Sequence, residues 1–187
     1  MKRKITLILS LILVLATLIS CGNGSANTTE TTQTTQTTTT AAIVIPAGYA
    51  KYNNGRISFA YPKNWTRSSG STVIFTNPKG NGNNINVFYE DKNTIYDTMT
   101  TASFNSDFKP IYEAMGLTIS NAKVEHKTTN GEKVTVISYT AKTQGKTIKQ
   151  TQFVIHSGNL TYTVTVSEFV SDSALAQNIF NTLDVTK

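Results

Sequence analysis

Two histidines, His126 and His156, carry the side chains of this 187-residue chain best suited to proton transfer or metal ligation near neutral pH, and they stand 30 residues apart. A metal site needs them beside carboxylates such as Glu90, Asp91 or Glu125. No HxxH, HExxH or Asp-rich loop gathers such ligands locally, so no metal is assigned and both histidines read as ordinary strand-surface residues. The catalytic alternative that the residues allow is a hydrolase or metal-dependent enzyme built from Glu90, Asp91 and one histidine. Serines are numerous enough for a Ser-His-Asp arrangement, but no G-x-S-x-G elbow exposes one. Gly80-Asn81-Gly82 imitates a phosphate-binding loop but lacks the lysine and the following helix, so it reads as a hairpin connection. No catalytic residue and no cofactor follow from these patterns.

Binding chemistry leaves fainter traces. Trp65, close after Tyr61 and Pro62, reads as a core plug rather than a ligand-stacking ring. Lys123, Lys127 and Lys133, with Lys142, Lys146 and Lys149 around the next turn, are a candidate basic patch for an anionic surface polymer or headgroup. Lysines on strands also discourage edge-to-edge pairing, and that is the reading we favour. Tyr49, Tyr52, Phe88 and Tyr96 are the candidate exposed aromatics. The formal charge of +6 shrinks to +3 from Cys21 onward, where 14 Lys and Arg face 11 Asp and Glu. Charges so few and so scattered exclude a nucleic-acid footprint.

The remaining reactive atom is the sulfur of Cys21, the sole cysteine, which excludes an intramolecular disulfide and a multi-cysteine zinc site. Met1 to Lys4 form a basic head, residues 5–19 are almost entirely apolar, and a small residue, Ser20, precedes Cys21. That apolar run is short of the roughly 20 residues of a membrane span and fits a signal-peptide core. Leu18-Ile19-Ser20-Cys21 followed by Gly22 resembles the lipobox of bacterial lipoproteins. The resemblance implies a signal peptide over 1–20, a diacylglycerol on the Cys21 thiol, and cleavage just before it. The protein is then expected on a cell membrane, lipid-anchored and facing outward. Two or more acyl chains, at about 0.8 kcal/mol per buried methylene, hold such a protein firmly where one does not.

The elements that must carry these residues follow in order. Over 22–48 the composition collapses into Thr, Gln, Asn, Ala and Gly, with ten Thr among residues 28–40, so 21–48 reads as the lipidated cysteine and a disordered linker. The apolar run 41–45 before Pro46 either packs on the domain as a first edge or stays free. The folded domain is expected over 49–187. Alternation predicts strands over 56–61, 71–76 and 85–90. Over 94–115 the period turns helical, and Pro110 demands either two short helices meeting near Asn105 or one kinked helix, with Asp107 as the cap that admits the proline. Four further strands are predicted over 118–127, 133–142, 146–156 and 160–168, joined by turns at Asn130-Gly131, Gln144-Gly145 and Ser157-Asn159.

The strand from Lys133 is apolar on both sides, Val134 and Val136 against Ile137 and Tyr139, so it should be covered twice. In the strand from Leu160, Thr161, Thr163 and Thr165 share one side, which the alternation assigns to solvent. Ser171 or Asp172 caps a last helix whose apolar stripe is Leu175, Ile179 and either Phe180 or Leu183. The pattern gives an α+β domain, an antiparallel sheet of about six to seven strands with helices on both faces.

The run Ile57-Ser-Phe-Ala-Tyr-Pro-Lys-Asn-Trp65, the helix after the third strand, and Leu160-Thr-Tyr-Thr-Val-Thr-Val166 leading to Phe180-Asn-Thr-Leu183 resemble a PsbP-like domain, of the superfamily that also holds DcrB-like bacterial proteins. The resemblance spans nearly all of 49–185 and rests on packing motifs. It implies an antiparallel sheet between helical layers and a non-catalytic accessory role. It transfers no functional residue. An envelope-bound accessory module, with another envelope protein or an anionic polymer as partner, is the functional expectation.

Overall fold

Alternating apolar residues and short Asn/Gly turns dominate the chain, and the computed structural model shows what they build. It describes residues 42–186 apart from 69 and 71. The signal peptide, the lipobox with Leu18, Ile19, Ser20, Cys21 and Gly22, and the linker to residue 41 lie outside the described residues. Ile45–Lys187 groups as one compact unit.

The strands are β1 (Tyr49–Asn53), β2 (Ile57–Pro62), β3 (Thr66–Ser68), β4 (Val73–Thr76), β5 (Asn84–Asp91), β6 (Thr118–Thr129), β7 (Glu132–Thr143), β8 (Lys146–Ser157), β9 (Leu160–Glu168) and β10 (Asp184–Val185). Between β5 and β6 come a 3-10 turn, Thr94–Thr98, and a helical run, α1, made of Thr101–Ser103, a π segment Phe104–Phe108 and Lys109–Ala114. Helix α2 is Leu175–Thr182. Seven strands form one antiparallel sheet in the order β3-β4-β5-β9-β8-β7-β6, and β1-β2-β10 form a second, antiparallel one. The mixed α+β architecture is as the sequence predicts. The second sheet is a departure, since β1 and β10 were not predicted. Pairs such as Val185↔Ile57 join residues from opposite ends of the domain.

The large sheet is covered on both faces. On the first face Tyr52, Ile57, Phe59 and Trp65 pack with Phe75, Val164 and Val166 and with Leu175, Ile179 and Leu183 of α2. Trp65 is the core plug expected, and each fully buried apolar side chain here contributes about 1.5–3 kcal/mol. On the second face Phe104, Phe108 and Tyr112 of α1 cluster with Tyr139 of β7 at centroid separations near 6 Å. Strand β7 therefore buries Val134 and Val136 on one side and Ile137 and Tyr139 on the other, as its two-sided pattern requires.

Three local expectations are corrected. The side of β9 assigned to solvent is buried: Thr161 is fully enclosed, and Thr163, Thr165 and Ser167 are buried too. Thr161 and Ser167 tolerate this because their hydroxyls find partners. Gln150 takes the Tyr139 hydroxyl on its oxygen and donates to Ser167 Oγ at 3.1 Å, while Gln152 donates to Tyr139 Oη at 3.3 Å. The proline is accommodated differently from the expectation as well. Phe108, not Asp107, precedes the α segment in which Pro110 occupies the first turn. One extra residue of π winding brings the Lys109 N–H onto Phe104 O, five residues back, ahead of the ring. Finally, Ala174 rather than Ser171 or Asp172 precedes α2, and Asp172 Oδ1 takes the Ala174 N–H at 3.2 Å from just outside it.

Candidate functional site

The β6–β7 hairpin brings His126 onto the second face, opposite Thr135, and β8 brings His156 onto the same face, opposite Thr161 of β9. The 3-10 turn Thr94–Thr98 lies across both rows as a strap. Strap and hairpin together bound a groove of about 670 Å³ lined by Tyr96, Asp97, His126, Lys133, Thr135 and His156. So the structure gathers the two histidines, 30 residues apart in sequence, on one surface feature.

Their ring nitrogens are engaged within the fold. His156 Nε2 lies 2.9 Å from Asp97 Oδ1 and its Nδ1 lies 2.9 Å from Thr161 Oγ1. Asp97–His156–Thr161 thus has the connectivity of a hydrolase triad. Its chemistry is different, because Thr161 is fully buried and its oxygen already accepts the Asn93 N–H at 2.8 Å. No substrate reaches that hydroxyl, and the chain of contacts ties the start of the strap to the sheet. The other end is tied by His126, whose Nε2 meets Met99 O at 2.9 Å and whose Nδ1 meets Thr135 Oγ1 at 3.1 Å. Thr135 in turn donates to Tyr96 O at 2.9 Å.

Glu90 and Asp91 do not join a histidine to form one site. Successive residues of β5 point to opposite faces, so Glu90 opposes Thr161 on the strap face while Asp91 opposes Leu160 on the other. Glu90 accepts from Asn93 Nδ2 at 3.4 Å. Burial raises its carboxyl above the ordinary range, and the Asn93 hydrogen bond opposes that rise. Burial likewise drives the Tyr96 hydroxyl far upward. Among the described residues no group of three or more His, Cys, Asp or Glu side chains could hold a metal ion.

The lysines divide between faces. Lys123, Lys127, Lys142 and Lys149 share the first face, whereas Lys133 and Lys146 register on the second. A smaller concavity of about 270 Å³ opens beside Lys127, Lys149, Phe153 and Phe180. Each ammonium there meets a carboxylate: Glu125 pairs with Lys123 at 2.8 Å and Lys127 at 3.2 Å, and the buried Glu168 faces Lys149 at 3.4 Å. The Lys123 and Lys127 ammonium groups hold the Glu125 carboxyl below the ordinary range. Of the aromatics expected at the surface, Tyr52 and Tyr96 are buried and Tyr49 and Phe88 partly so; the exposed ring is Tyr89, which the alternation did not single out.

A seven-stranded antiparallel sheet with a helical run on one face, and a helix with a small second sheet on the other, defines the class. The chain belongs to the PsbP family, whose pattern matches residues 47–183. Among solved structures it is similar to cyanobacterial PsbP (CyanoP) from Synechocystis sp. PCC 6803, at 16% identity over 75% of this chain and 94% of that one, with a TM-score of 0.56. A crystal structure from Bacteroides thetaiotaomicron VPI-5482 is 14% identical over 73% of this chain and 48% of that one, with a TM-score of 0.47. LpqN, described as involved in cell envelope biogenesis of Mycobacterium tuberculosis, is 14% identical over 74% and 91%, with a TM-score of 0.42. Likeness at such identities shows the fold alone. No curated protein matches the chain.

Proposed function

We propose that this protein is a non-catalytic accessory module of the cell envelope, held at the outer side of a membrane by lipid on Cys21 and presenting its PsbP-family domain to a partner. The observation that carries the non-catalytic reading is the use of the histidines. All four ring nitrogens contact the strap or the threonines that hold it, and the one triad-like arrangement ends on a fully buried hydroxyl. The anchor rests on the sequence order of basic head, apolar core, Ser20, Cys21 and Gly22. No helix among the described residues is long and apolar enough to cross a membrane.

The anchor is tested by intact-mass and amino-terminal analysis of protein from bacterial membranes. The expected product begins at Cys21 and carries acyl mass, and Cys21→Ala leaves the membrane fraction. An unacylated product, or one beginning at Met1, overturns it. The accessory reading is tested by assaying the purified protein against ester, peptide and phosphoester substrates with His126→Ala and His156→Ala as controls. A turnover that both substitutions abolish while the fold is retained refutes it.

A further inference from the structure

A second cluster, remote from the histidines, lies where the small sheet meets the edge of the large one. Asn53 and Asn54 turn the β1–β2 hairpin through their side-chain oxygens: Asn53 accepts the Gly55 N–H, and Asn54 accepts the Arg56 and Ile57 N–H groups. That turn sets Arg56 beside Gly158 and close enough to Tyr162 to act on its hydroxyl. From the edge strand β3, Arg67 lies over the Tyr52 ring at 5.1 Å. Tyr52 and Tyr162 are both buried and belong to the same core cluster. Tyr162 packs on Tyr89 at 5.6 Å, and Tyr89 is 53% exposed. The result is a continuous stripe, Arg67–Tyr52–Tyr162–Tyr89, with Arg56 alongside.

The cationic groups of this stripe are guanidinium groups. Arg56 and Arg67 are the only arginines among the described residues. Both are exposed, and neither has an ion-pair partner there, although Asp91 shares the face two residues beyond Tyr89. Lys109, Lys123, Lys127 and Lys149, in contrast, each meet a carboxylate. Guanidinium forks match carboxylate geometry bidentately, which an ammonium cannot do. Tyr and Arg are enriched where proteins bind one another, and Lys is depleted there. The supporting tyrosines are packed into the core, so the exposed groups rest on a fixed base before contact.

We propose that Arg56, Arg67 and Tyr89 form the contact surface for an acidic segment of a partner protein, the guanidinium groups taking carboxylates and the Tyr89 ring taking an apolar side chain between them. This specifies the partner in the accessory reading above and rests on it, but it does not depend on acylation. The test is fluorescence anisotropy of a labelled Glu/Gly peptide with one central Phe, titrated with the full chain in detergent and with its Cys21→Ala form. Both forms should bind alike. Arg56→Gln with Arg67→Gln should weaken binding at least tenfold, and Tyr89→Ala severalfold. Arg56→Lys with Arg67→Lys should also lose affinity despite unchanged charge. Lys127→Gln with Lys149→Gln, which removes the same charge elsewhere, should leave binding intact.

Equal losses from the lysine and arginine pairs, or unchanged binding in the arginine pair, overturn the proposal. So does retention on phosphatidylglycerol vesicles or poly(glycerol phosphate) that needs the arginines when the peptide does not. Failure of membrane attachment with peptide binding intact overturns only the anchor.

Discussion

Replacing Thr135 with valine keeps the volume of a buried side chain and removes one hydroxyl, which makes it a direct test of how the strap is held. Thr135 is 6% exposed and Tyr96, whose carbonyl it serves at 2.9 Å, is 1% exposed. Tyr96 O retains only a long contact from the Met99 N–H at 3.4 Å. A buried carbonyl deprived of its main donor costs about 1–3 kcal/mol. His126 is exposed, so water replaces its lost partner at little cost. The residual Met99 contact puts the expected loss in the lower half of that range, about 1–2 kcal/mol. For a unit of this size that is a fall in Tm of roughly 3–10 °C. Urea unfolding measures the global loss, and hydrogen exchange should show faster exchange at Asn93, Ile95 and Met99 than at amides of β8 and β9. Thr128→Val, at an exposed position of β6, should change stability by less than about 0.5 kcal/mol. A Thr135→Val protein as stable as the parent, with the strap amides equally protected, would refute the assignment of Thr135 as a fastening residue.

Glu90 and Asn130 offer further tests. Because burial raises the Glu90 carboxyl in the folded state, folding favours its protonated form: the contribution is fully present below the unfolded value, near the ordinary 4.5, and is lost as pH rises through the higher folded value. Glu90→Gln should therefore flatten the stability profile above about pH 4.5 in urea titrations; an unchanged slope refutes the burial argument. Asn130 holds φ +50 in the β6–β7 turn and donates to Asn181 O at 3.1 Å and Leu183 O at 3.0 Å, tying the end of α2 to the hairpin. Asn130→Gly relaxes the backbone yet should lose about 1 kcal/mol through those two bonds. Asn130→Ala should lose about 1–2 kcal/mol more, because it keeps the left-handed strain as well. A glycine variant more stable than the parent in thermal unfolding would show that the amide carries no weight.

What the sequence discloses and what it conceals divide along the distance over which a residue finds its partner. The bounds of β9 and the two-sided burial of β7 follow from alternation alone, since each residue's face is set by its immediate neighbours. The turns at Asn130-Gly131 and Gln144-Gly145 are legible for the same reason: positive φ at both positions is a local demand. Strand β10 is invisible because two residues have no period, and it exists through Ile57 and Ser58, more than 120 positions earlier. The strap is hidden in the same way. Asp97 meets His156 at a separation of 59, His126 meets Met99 O at 27, and Asn93 meets Thr161 at 68. Motif spacing detects ligands brought together by one helix or one loop, and none of these pairs is of that kind. The threonine side of β9 misled for a related reason. Alternation separates apolar from polar residues, but a hydroxyl whose proton and lone pairs find partners within the fold can be buried as fully as a valine. The same distinction bears on function: the histidine rings that hold the strap find partners inside the domain, while the guanidinium groups of Arg56 and Arg67 meet no carboxylate among the described residues, and such donors on a prearranged surface are where a partner has most to gain.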